Sequence, residues 1–137
     1  MHYEFTKDYL TGIDQIDKEH AHLFEIANET WDLVHDELVT DKYDRIVDLL
    51  EELREYTKTH FAHEEEYMLS IGFPHYYSEL HQHKTFVKKL EDINLKELDA
   101  SQQEHIEDIL DFLAKWLQGH IKGADRRIGA SQGVLPQ

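Results

Sequence analysis

Residues 43–74, YDRIVDLLEELREYTKTHFAHEEEYMLSIGFP, decide the fold. Ile46, Leu49, Leu50, Leu53, Phe61 and Met68 recur there at three- and four-residue spacing, the mark of a helix with one buried face. Thr57, His60 and Glu64 fall in the same line. Gly72 stands where a helix-ending glycine belongs, and Pro74 blocks continuation. The spacing predicts a helix over 43–71 that carries an imidazole and a carboxylate on the face it should bury.

Three further segments flank it. Over 17–39 the stripe reads Ile16, His20, Leu23, Phe24, Ala27, Trp31, Val34 and Leu38, with Asp17 placed to cap the first turn. Over 75–93 it reads Leu80, His83, Phe86, Val87 and Leu90. Over 101–121 it reads Ile106, Ile109, Leu110, Leu113, Trp116, Leu117 and His120, opened by a capping box of Ser101 and Glu104. Strand signals are weak, and neither repeats nor low-complexity tracts occur. Four helices on short connections imply an all-α, up-down-up-down antiparallel four-helix bundle. A single domain over 1–137 is expected, with an irregular N-terminal arm and a short irregular tail after Gly129.

Composition narrows the function. The 137 residues carry 29 acidic and 14 basic side chains, a formal charge of −15. Binding phosphates takes clustered lysine and arginine, so no nucleic-acid partner is expected. Cysteine is absent, which excludes disulfides and thiolate metal sites. No apolar run reaches the roughly 18 residues a membrane helix needs, and MHYEFTKDYL lacks the pattern of a secretion signal. The expectation is a soluble, cytoplasmic monomer without a membrane partner. The anomaly is histidine, present 11 times.

A buried stripe should be apolar, because an imidazole or carboxylate buried without partners costs several kcal/mol. Yet His20, His60, Glu64, His83 and His120 lie in line with Leu, Phe, Ile and Trp on all four segments. They must meet inside the bundle, and mutual hydrogen bonding rarely accounts for so many. His60 and Glu64, four apart, project from one face. His120 and Asp125, five apart, can reach one centre as the last helix terminates. Imidazole and carboxylate donors without sulfur favour iron or manganese over structural zinc. A carboxylate between two ions can bridge them, and Glu64 and Asp125 come from helices placed to do so. His2, His22, His35, His63, His75, His81 and His105 read as solvated, as do Glu65 and Glu66.

These residues carry a resemblance. Gly12-Ile13-Asp14, Ile16-Asp17, His20, Leu23-Phe24 and Asn28, then His60-Phe61 with Glu64-Glu65, Phe73-Pro74, His83 with Phe86, and His120-Ile121 with Asp125 are similar to the hemerythrins, within them the single-domain bacterial members. The resemblance spans nearly the whole chain. It implies a non-haem, oxo- or hydroxo-bridged centre of two iron ions that binds dioxygen reversibly. By that resemblance His20 and His60 hold the iron with an open position, Glu64 and Asp125 bridge, and His83 and His120 hold the second iron.

The family pattern has one more histidine, four residues before His83, where this chain has Glu79. His81 points about 160° away from His83 on a helix, and His75 lies two turns off. Either Glu79 is the seventh ligand, or water takes its place, or a shifted helix recruits His81. Ligation by an ionised Glu79 lowers the centre's net charge from about one to about zero, which favours ferric iron and faster autoxidation. The sequence therefore reads first as a dioxygen-binding protein for carriage, storage or delivery. A diiron oxidase or peroxidase comes next, then an oxygen or redox sensor, which would need an output domain beyond the bundle.

Overall fold

The computed structural model describes residues 2–40, 42–95 and 103–136. A 3-10 turn at Lys7–Tyr9 precedes α1 (Asp14–Val34), α2 (Tyr43–Ser70), α3 (Tyr76–Asp92) and α4 (Gln103–His120); a π turn (Ile121–Asp125) then leads into α5 (Arg126–Ser131). Among the described residues there is no strand. No helix among them is long and apolar enough to cross a membrane. The capping box expected at Ser101 lies outside the described residues.

Paired contacts set the direction of each neighbour. Glu29 meets Arg45 while Glu19 meets His60, so α1 and α2 run antiparallel. Lys58 with Glu91 and His83 with Glu65 do the same for α2 and α3. His35 with Glu107 and His20 with Asp125 orient the chain of α4 and its continuation against α1. Phe86 stacked on Trp116, their centroids 3.8 Å apart, ties α3 to α4. The expected all-α four-helix bundle is what forms. Its dry core holds Leu23, Leu49, Leu50, Leu53, Phe86 and Leu110, none more than 1 % exposed. Each such side chain contributes roughly 1.5–3 kcal/mol by leaving water.

Boundaries shifted where side chains, not periodicity, end an element. α1 starts at Asp14, three residues early, and Asp17 is no cap for its amides. Its carboxylate turns back and accepts from Thr11 N and Oγ1, both at 2.8 Å, and Gly12 N at 3.0 Å, pinning the arm to the helix. α1 also stops early, at Val34, because its last carbonyls find partners there. The His35 ring donates to Trp31 O at 2.8 Å and Lys42 Nζ to Val34 O at 2.9 Å. Leu38, expected on the buried stripe, is 93 % exposed in the connection. At the end of α2, Gly72 adopts φ +64°, with Phe73 N bonded to Met68 O and Gly72 N to Leu69 O. That is the glycine-terminated end read from the sequence.

The largest departure follows α4. The chain does not fray after Gly129 but stays helical to Ser131. Gly129 is there for contact: a Cβ on it would lie 1.8 Å from Thr11 O. Gly12, at φ +87°, has Val134 O equally close. The arm and α5 thus lie backbone to backbone across the end of the bundle.

Candidate metal centre

His20 sits early on α1, His60 and Glu64 late on α2, Glu79 and His83 early on α3, and His120 at the end of α4. In an antiparallel bundle those positions share one end. All seven expected residues, Asp125 included, meet there, each at most 6 % exposed. Asp125 arrives by a route not anticipated. On an α-helix a residue five positions beyond His120 points about 140° away. The π turn Ile121–Asp125 takes up that rotation by widening the helix, and Asp125 Oδ1 lies 3.1 Å from His120 Nε2. The helix is widened at the site rather than ended there.

The side chains form two donor sets, His20, His60, Glu64 and Asp125 on one side and Glu64, Glu79, His83, His120 and Asp125 on the other. Glu64 turns Oε2 toward His20 and His60, at 3.6 and 3.2 Å, and Oε1 toward His83 at 3.1 Å. Asp125 turns Oδ2 toward His20 at 3.0 Å and Oδ1 toward His120. Each of these two carboxylates therefore offers one oxygen to each set. Glu79 Oε2 lies 3.2 Å from His83 Nε2 and 3.0 Å from His120 Nε2, while His81 is exposed on the opposite side of α3.

Donor geometry and burial fit a metal better than a self-contained polar core. His20 Nε2, His60 Nε2 and both oxygens of Glu64, Glu79 and Asp125 are buried and make no well-directed hydrogen bond among the described residues, although imidazole and carboxylate atoms crowd to within 3.0–3.6 Å. Left so, they would cost several kcal/mol. Donors at right angles about a first-row ion, at bonds of roughly 2.1 Å, stand about 3 Å apart. The His83 and His120 Nε2 atoms are 3.1 Å apart.

Electrostatics in the metal-free protein agree. Burial opposes protonation of His83, but the carboxylates of Glu64, Glu65 and Glu79 outweigh it and raise its pKa to about 11. His120, buried beside Asp125 and Glu79, rises to about 10, and His60, buried beside Glu64 and Glu19, to about 9. His20 is raised too, by Asp125 and Glu64 against its burial. Burial pushes the Glu64 carboxyl up, yet the surrounding imidazoles hold it well below the ordinary carboxylate range. The pocket concentrates negative charge that protons or cations must balance.

A second layer escaped the sequence reading. His60 Nδ1 bonds Glu19 Oε1 at 2.8 Å, and Glu19 Oε2 in turn meets His63 Nδ1 at 2.7 Å. His83 Nδ1 bonds Glu65 Oε2, and His120 Nδ1 bonds Gln82 Oε1, both at 2.8 Å. With Nδ1 engaged outward, each ring presents Nε2 inward, the arrangement that orients metal-binding histidines. Glu19, Glu65 and Gln82 lie beside ligands in sequence, where periodicity reads them as solvent-facing. The one signal available was that each adjoins an inward residue in the chain, Glu19 beside His20, Glu65 beside Glu64 and Gln82 beside His83. Of the histidines read as solvated, His35, His63, His75, His81 and His105 are exposed, and His22 is half-buried.

Fold and site together define a class: a helical bundle whose interior is a histidine–carboxylate cation centre. Residues 11–130 match the family described as hemerythrin HHE cation binding domain. The chain is 44 % identical to a bacteriohemerythrin of Clostridium acetobutylicum over 119 residues, 87 % of this chain and 92 % of that one. It is 28 % identical to a bacteriohemerythrin of Stenotrophomonas maltophilia, over 87 % of this chain and 74 % of the relative. To that of Methylococcus capsulatus it is 26 % identical, over 89 % of each. This chain belongs to the hemerythrin family, a family of iron-containing, dioxygen-binding proteins.

Proposed function

We propose that the chain is a non-haem diiron protein that binds dioxygen reversibly, for carriage, storage or delivery, as a monomer in the cytoplasm. The observation that carries this is the division of Glu64 and Asp125, each with one oxygen toward either donor set. Two ions would share those carboxylates. His20 and His60 would complete the donors of one, and Glu79, His83 and His120 those of the other. The first set has one donor residue fewer, and that difference supports an open position on the His20 and His60 side. When bound, the ions supply the redox chemistry that takes up dioxygen. The chain's own work is to fix the imidazoles through Glu19, Glu65 and Gln82 and to exclude water with the rings of Phe61 and Trp116. These stack on His83 and His120 at centroid distances of 3.8 and 4.6 Å.

Metal analysis of the purified protein, followed by visible spectra through anaerobic reduction, exposure to dioxygen and deoxygenation, tests the reading. Two irons per chain and a spectrum that returns on deoxygenation are expected. Fewer than two irons overturns it.

One observation favours a second reading, a diiron oxidase or peroxidase. Glu79 is buried among the donors and brings a third carboxylate. In the same experiment, one-way conversion to the ferric protein with consumption of peroxide supports that reading instead.

A further inference from the structure

We infer that the groove between α2 and α3 beside the metal centre binds a small, anionic, ring-shaped electron donor of the flavin mononucleotide class. The groove encloses about 390 Å³, within the range of roughly 300–1,000 Å³ usual for small-molecule sites. Its floor is apolar and aromatic, built from Phe61, Ala62 and Val87, with buried His83 behind it. Phe61 lies parallel to His83 with ring centroids 3.8 Å apart. A planar ring on this floor lies over buried Phe61, the aromatic ring stacked on His83 of the proposed centre.

Charge selects the other half of the occupant. Lys58, Lys84 and Lys88 rim the groove, in a chain of net charge −15. Its two acidic residues are already engaged, Glu65 with His83 Nδ1 at 2.8 Å and Glu91 with Lys58 Nζ at 2.7 Å. Lys84 and Lys88 have no carboxylate partner among the described residues, which leaves two uncompensated cations for a phosphate.

The inference rests on the diiron reading for its redox step. One flavin hydroquinone becomes the oxidised flavin, releasing two protons to solvent, and its two electrons reduce two ferric ions to ferrous. Oxidised iron, the expected by-product of a carboxylate-rich site, is thereby returned to the dioxygen-binding state.

Binding is tested without iron. The fluorescence of flavin mononucleotide, titrated with the metal-free chain, is expected to change saturably, and riboflavin, which lacks the phosphate, to bind about tenfold more weakly. The pair Lys84→Glu and Lys88→Glu should weaken the nucleotide about tenfold and leave riboflavin unchanged. No saturable change, or equal binding by the charge-reversed chain, overturns the site. With the iron-loaded ferric protein, the same pair should slow reduction by reduced flavin mononucleotide about tenfold while not slowing the cationic methyl viologen radical. Equal slowing by both donors overturns electron entry here. Absence of iron sinks the metal reading and is distinguishable, since the metal-free titration stands alone.

Discussion

At the scale of single residues, the centre is distinguished by what surrounds its histidines. Glu79 occupies the position where the family pattern has histidine, and it reaches both His83 and His120. On the proposed ligand set its charge stabilises the ferric state. Glu79→His is therefore expected to lengthen the life of the dioxygen-bound protein several-fold, followed as the slow spectral change to the ferric form in air. A shorter life would sink the charge argument. Glu19 acts one layer out, holding His60 and His63 with its two oxygens. Glu19→Gln keeps the shape but can accept only one of those bonds, and outer-layer changes of this kind cost about 10–100-fold in metal affinity. Competition with a chelator measures it; unchanged affinity would make Glu19 merely a surface partner of His63. His20 differs from the other three imidazoles, since its Nδ1 has no partner among the described residues.

At the scale of elements, two local devices position the site. The π turn rotates Asp125 onto the face of His120, which a five-residue spacing on an α-helix does not do. Downstream of it, α5 is held against the arm by the close approach of Gly129 to Thr11. Gly129→Ala would put a methyl group against that carbonyl, and one backbone must move. A loss of about 1–3 kcal/mol is expected, as for overpacking elsewhere. Thermal unfolding should show a melting temperature several degrees lower, with the helical circular-dichroism spectrum retained. Gly123→Ala, where no atom stands within 4 Å of the added carbon, is the matched control and should leave stability within about 0.5 kcal/mol.

At the scale of the molecule, folding gathers a set of carboxylates that protons or metal must neutralise. In the metal-free protein His60, His83 and His120 hold protons to about 9, 11 and 10. In an unfolded chain histidine releases its proton near about 6.5. A folded value above the unfolded one stabilises fully below about pH 6.5, and that stability is lost as pH rises through the folded values. The metal-free melting temperature should therefore fall between about pH 7 and 11, whereas the iron-loaded protein, with metal in place of those protons, should fall less. Loading at neutral pH should also release protons and weaken in acid, measured with an indicator dye. Much of this was legible in the chain. The bundle and the inward line of His20, His60, Glu64, His83 and His120 follow from periodicity, because side chains three and four apart share a face whatever the neighbours do, and the end of α2 follows from Gly72 and Pro74. Glu19, Glu65 and Gln82 were not legible. Their partners all sit on other helices, and residues at these positions ordinarily face water. The π turn, the early end of α1 and the helical course past Gly129 were decided by contacts between segments distant in sequence. A helix yields its regular spacing only where packing and buried donors across the bundle outweigh the local hydrogen-bond pattern, and that balance exists only once the four helices have met.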